Sequence, residues 1–159
     1  MSKPLLAVDV DGVISLFGFD VPPERGTTRF ELVDGVPHCI SLAAGERLRR
    51  LCGRFEMVWA SGWEDKANFY LPSLLGLEEC RHVSFDGRVA AGGAHWKLGP
   101  IEEQAQGRAL AWIDDNFDRS CFDWAERRSE PTLLIPTEPH LGLEEAHVAA
   151  LESWAAELD

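Results

Sequence analysis

Leu5-Leu6-Ala7-Val8-Asp9-Val10-Asp11-Gly12-Val13 is the stretch on which the reading of this 159-residue chain turns. Four consecutive apolar residues are too few for a helix and suit a strand buried on both faces. The run stops at two carboxylates two residues apart, and Gly12 then lets the chain turn. Acids at the end of a buried strand are costly to desolvate unless something binds them. A divalent cation, or phosphate chemistry, accounts for both.

Working outward, apolar runs alternate with helical periodicity. Strands are predicted over residues 5–8, 56–60, 82–85, 109–113 and 132–135, and helices over 42–52, 64–75, 99–106, 119–128 and 143–158. Strands alternating with helices read as βαβ units around a parallel sheet, which gathers ligands at the carboxyl ends of its strands. Residues 14–40 break the alternation. Their second half, 28–40, reads as a hairpin turning at Asp34-Gly35. It leaves directly from the acidic strand end, so a flap over that end is expected, within one domain spanning 1–159.

Composition narrows the function classes. An apolar content of 45% and six tryptophans mark a folded chain with a core. A formal net charge of −12 disfavours a nonspecific nucleic-acid binder, which presents a basic face. The four cysteines form no CxxC pair, so a zinc site is not expected and reduced thiols are. There is no apolar leader-like stretch after Lys3 and no run near the ~20 residues of a membrane span. A cytoplasmic protein that does not engage membranes is the expectation.

Polar residues recur where the predicted strands end. The first strand leads into Asp9 and Asp11, the second into Ser61-Gly62-Trp63, and the fourth into Asp114-Asp115; Lys97 lies near the start of the helix between. Singly, each has an ordinary explanation. Asp11-Gly12 is a common turn pair, Ser61 to Glu64 fits a capping box, Lys97 could sit on the surface, and Asp114-Asp115-Asn116 could cap a helix. Taken together and in this order, they supply what phosphoester hydrolysis requires: a nucleophile, a proton donor for the leaving oxygen and positive charge on the transferred group. Asp9 suits the nucleophile, forming an aspartyl-phosphate. Asp11 suits the general acid and then base. Ser61 and the Gly62 N–H can bind phosphate oxygens, and Lys97 can bridge nucleophile and phosphate.

Asp9-Val10-Asp11-Gly12-Val13, Ser61, Lys97 and Asp114-Asp115 together resemble the four motifs of the haloacid dehalogenase-like (HAD) hydrolase superfamily. The strings Val58-Trp59-Ala60-Ser61-Gly62-Trp63-Glu64 and Trp112-Ile113-Asp114-Asp115 are further similar to the superfamily domains associated with RNA-repair proteins. The resemblance implies a three-layer α/β/α Rossmann-like fold with a five-stranded parallel sheet in order 3-2-1-4-5. The 14–40 insertion would then be a minimal cap. It also implies Mg²⁺ held by the Asp9 carboxylate, the Asp11 main-chain carbonyl and an acid of the fourth motif. Asp114 is preferred as that acid because it comes first off the strand, with Asp115 acting through water or orienting Lys97.

The expected activity is that of a Mg²⁺-dependent phosphatase. Its phosphorylated substrate would be a small metabolite, a nucleotide or a nucleic-acid end. The alternative is a catalytically idle Mg²⁺- or phosphate-binding module partnering a repair or defence system. Among the aromatics, Trp59 and Trp112 are expected in the core, Trp124 and Trp154 in helix packing, and Trp63 and Trp96 packed beside motif residues. His38 and His95 read as ordinary hairpin and loop residues.

Overall fold

The computed structural model describes residues 2–86 and 93–159. In chain order its elements are β1 (Leu5–Val8), β2 (Ser15–Leu16), β3 (Thr28–Val33), β4 (Val36–Ser41), α1 (Leu42–Leu51), β5 (Glu56–Trp59) and α2 (Lys66–Leu75). A short 3-10 turn (Ala94–Lys97), α3 (Leu98–Ala105), β6 (Leu110–Asp114), α4 (Arg119–Arg127), β7 (Thr132–Pro136) and α5 (Glu145–Glu157) complete the order.

Four strands form a parallel sheet in the order β5-β1-β6-β7. Alternation along β1 divides the core. Leu6 and Val8 join Met57, Trp59, Ala111 and Ile113 against α1, α2 and α5. Leu5 and Ala7 join Val58, Ala60, Leu110 and Trp112 against α3 and α4. Because both faces are covered, the central strands are apolar at every position up to Asp114, the last residue of β6, which is why they read as continuous runs. Trp59 and Trp112 are fully buried, as expected. Trp154 stacks on Phe55 and Trp124 packs edge-on to Trp112.

The fifth strand expected over 82–85 does not form as a strand. Trp59 and His82 make a single bridge, flanked by Trp59 N–H to the Arg81 carbonyl and Val83 N–H to the Trp59 carbonyl. Val83 and Phe85 still turn inward in alternation, but Asp86 takes a positive φ of 52° and the pairing stops.

Residues 14–40 form more than a hairpin. A three-stranded antiparallel sheet runs in the order β2-β4-β3. Its tip is the expected two-residue loop: Val33 pairs with Val36, and Asp34 and Gly35 have φ of 50° and 80°. Positive φ at both central residues is the geometry whose twist matches the flanking strands. The base of this unit belongs to the core, since Ile14 and Ile40 are fully buried there. Ser41 closes β4 and caps α1, accepting from the Ala44 N–H at 3.0 Å.

α1 and α4 start at 42 and 119 as expected, whereas α2, α3 and α5 start at 66, 98 and 145 rather than 64, 99 and 143, and two helix caps differ from the expectation. α2 begins at Lys66 rather than 64, because Ser61 to Asp65 form a turn in which Glu64 has a φ of 50°. Ser61 and Glu64 therefore do not make the capping box; the Glu64 carboxylate instead accepts from the Phe85 N–H at 3.3 Å. α4 is capped by Asp118, not by Asp114 to Asn116. The capping box that does exist, Glu144 with His147, opens α5.

Candidate functional site

The register of the sheet assembles the site. Val8 lies opposite Ile113 on one side and Trp59 on the other. The next residues along, Asp9, Asp114 and Ala60-Ser61, must therefore emerge side by side at the carboxyl ends of β1, β6 and β5. The Asp9 N–H continues the ladder to the Ile113 carbonyl, and the Ala60 N–H to the Val8 carbonyl.

Lys97 enters from the end of the 3-10 turn and is 4% exposed. Its ammonium lies 2.7 Å from Asp114 Oδ2 and 3.1 Å from Asp9 Oδ1, and donates to the Ala60 carbonyl at 2.9 Å. These contacts match the three hydrogens of an ammonium, so contact with a further anion requires one bond to be shared or released. Asp9 and Asp114 are themselves 6% and 1% exposed. Burial drives the Asp9 carboxyl well above the usual range; Lys97 opposes this, while Asp114 and Asp115 add to it. Burial also works against the Lys97 ammonium, but Asp9 and Asp114 outweigh it and leave its pKa raised. The Asp115 carboxyl is pushed up to about 6, first by burial and then by Asp114 beside it.

Asp9, Asp114 and Asp115 each present a carboxylate oxygen within 4.8 Å of the others. An all-oxygen, carboxylate-rich set of this kind fits a hard divalent cation such as Mg²⁺. Gly12 makes the cluster possible. Its φ is 80°, and a Cβ there would lie 2.3 Å from Asp115 Oδ2. Asp114 Oδ1 accepts from the Asn116 N–H at 3.0 Å, which leaves the other oxygen to Lys97. Thr137 ties the two acidic loops together, its hydroxyl donating to the Gly12 carbonyl at 2.8 Å and its N–H to the Asp114 carbonyl at 3.1 Å.

The structure thus brings Asp9, Lys97, Asp114 and Asp115 into one cluster, with Ser61 buried on the adjoining strand end. Ser61 Oγ accepts from the Trp63 N–H at 3.1 Å, so its own proton is free to donate. Gly62 is exposed beside it. The Asp11 side chain stands apart from the three clustered carboxylates and is 53% exposed. It accepts from Trp63 Nε1 at 3.2 Å, and His38 Nδ1 lies 3.8 Å from its other oxygen.

No protein-family model matches the chain, and no curated protein matches it significantly. Among the described residues, no helix is long and apolar enough to cross a membrane. All four cysteines are free thiols.

Four participants escape a reading of the sequence. Gly12 is legible as a turn but not as the space for Asp115. Thr137 carries no motif and gains its place only through the fold. Trp63 and His38 read as packing and hairpin residues, yet both meet Asp11. The signal for Trp63 is its position two residues after Ser61, on a strand end already marked for chemistry.

Proposed function

We propose that this protein is a HAD-type, Mg²⁺-dependent phosphatase that hydrolyses phosphoric monoesters through an aspartyl-phosphate on Asp9. The observation that carries the reading is the buried cluster at the ends of β1 and β6, in which one ammonium serves Asp9 and Asp114 while Asp115 crowds the same space. Three carboxylates facing one lysine leave an excess of negative charge in a desolvated place, which a bound cation offsets when the acids are ionised. Asp9, Asp114 and Asp115 would hold Mg²⁺, with the Asp11 main-chain carbonyl, and the bound ion would offset charge on the phosphoryl oxygens.

The chain's own residues supply the rest. Asp9 attacks phosphorus, and Lys97 screens the approaching phosphate from the nucleophile's charge. The Ser61 hydroxyl and the Gly62 N–H donate to phosphate oxygens. Asp11, exposed at the mouth, gives a proton to the leaving oxygen and takes one from the attacking water. With the small β2-β4-β3 unit as the only cap among the described residues, the mouth suits a phosphate on a metabolite, a nucleotide or the end of a nucleic acid.

Turnover of p-nitrophenyl phosphate with Mg²⁺, for wild type and Asp9→Asn, tests this. Wild-type turnover that disappears in Asp9→Asn and in chelator is the expected result. Full activity in Asp9→Asn would overturn the nucleophile. A wild type that binds Mg²⁺ but hydrolyses nothing across metabolite phosphates and 3′- and 5′-phosphorylated oligonucleotides would replace the enzyme with an idle binding module.

A further inference from the structure

Trp63 joins two parts of the site that arise from different strands. Its main-chain N–H donates to Ser61 Oγ at 3.1 Å, and its indole Nε1–H donates to Asp11 Oδ2 at 3.2 Å. The ring is held from the flap side by His38, edge-on with centroids 4.9 Å apart and planes at 68°. His38 is in turn hydrogen-bonded to Ser15 Oγ at 2.8 Å, and Ser15 is buried. Asp11 itself is half exposed, so burial does not restrain its carboxyl. Staggered rotamers lie within thermal reach of an unrestrained side chain, and a general acid is effective only when its proton is aimed.

We infer that Trp63 is a positioning residue that aims Asp11 and couples it to the phosphate-binding Ser61; this rests on the phosphatase reading. With Oδ2 taken up as an acceptor from the indole, the transferable proton is left to Oδ1. As the bond from Asp9 to phosphorus forms and the bond from phosphorus to the leaving oxygen breaks, that proton passes from Asp11 Oδ1 to the leaving oxygen. In the second step a water oxygen bonds to phosphorus, the bond to Asp9 breaks, and the water's proton returns to Asp11. The indole changes no bond in either step. It fixes where the proton stands.

Leaving-group dependence tests this. p-Nitrophenolate departs with little help from an acid, whereas the alkoxide of an alkyl phosphate such as glycerol phosphate needs a proton. Trp63→Phe keeps an aromatic ring and removes the N–H. Because a positioned general acid contributes roughly 10²–10⁴-fold, the ratio of alkyl to p-nitrophenyl kcat should fall about tenfold or more in Trp63→Phe, carried by kcat rather than KM. An equal loss on both esters would mark Trp63 as structural and overturn the inference while sparing the phosphatase reading. A wild type inactive on both esters would overturn both.

A second readout needs no activity. In the metal-free protein, the Trp63 indole proton should shift upfield and exchange faster with solvent in Asp11→Ala. An unmoved resonance would refute the hydrogen bond on which the aiming depends.

Discussion

Replacing Lys97 by methionine removes one charge and little volume, together with the hydrogen bond to the Ala60 carbonyl, so its effect falls chiefly on the electrostatics of the cluster. The ammonium is 4% exposed and contacts Asp9 at 3.1 Å and Asp114 at 2.7 Å. Without it, two desolvated carboxylates face each other with Asp115 nearby. Removing one member of a buried ion pair costs about 3–5 kcal/mol, because the partner is left charged and unsolvated. For a domain of this length each kcal/mol moves Tm by about 2–4 °C, so Lys97→Met should melt roughly 6–20 °C lower.

Thermal and urea melts at pH 7.5 in chelator measure this directly. The loss should shrink toward pH 5, because the Asp9 carboxyl, already raised by burial, then takes up a proton in place of the ammonium. Asp9→Asn and Asp114→Asn, added together to Lys97→Met, should recover most of the loss. If Lys97→Met melts within about 2 °C of wild type at pH 7.5 in chelator, the ammonium is not what neutralises the cluster, and the electrostatic account is wrong.

The same geometry makes two further outcomes testable. Gly12→Ala places a methyl group 2.3 Å from Asp115 Oδ2 at a φ of 80°, so it should weaken Mg²⁺ binding about tenfold or more; calorimetric titration checks it, and unchanged affinity would remove Asp115 from the cation site. The Mg²⁺-induced rise in Tm should grow from pH 5 to pH 8. The folded Asp115 carboxyl, at about 6, lies above its unfolded value, so its contribution to stability is fully present below the ordinary carboxylate range and lost as pH rises through about 6. Binding a cation requires the ionised form and reverses that loss; a Tm gain that is flat with pH would contradict it.

Local physics sets which features are legible in the sequence. Continuous apolar runs, the turn at Asp34-Gly35 and the carboxylates at strand ends are properties of a few adjacent residues, and β1, the hairpin tip and Asp9 are found where expected. Properties created by the register are harder to read. That Val8 lies opposite both Ile113 and Trp59 decides that Asp9 emerges beside Asp114 and next to the strand end that carries Ser61, and no single segment encodes it. The missing strand over 82–85 shows the converse. Val83 and Phe85 carry the right alternation, but pairing needs a partner edge that stays in reach, and the backbone leaves after one bridge. The Ser61–Glu64 cap is absent for a similar reason, because Glu64 is drawn to the Phe85 N–H across the fold.

Charge gives the site its order of events. The whole chain carries a formal −12, and within it the cluster sets three carboxylates against one ammonium, so a phosphate dianion approaching the metal-free pocket meets net repulsion. A divalent cation with Lys97 brings the local sum of charges to zero. On the proposed reading, only then would a phosphate feel the donors of Ser61 and Gly62 rather than the acids behind them. On the proposed phosphatase reading, cation first and phosphate second is the binding order that electrostatics favours. Equilibrium titration of inorganic phosphate should show saturable binding with Mg²⁺ present and none in chelator.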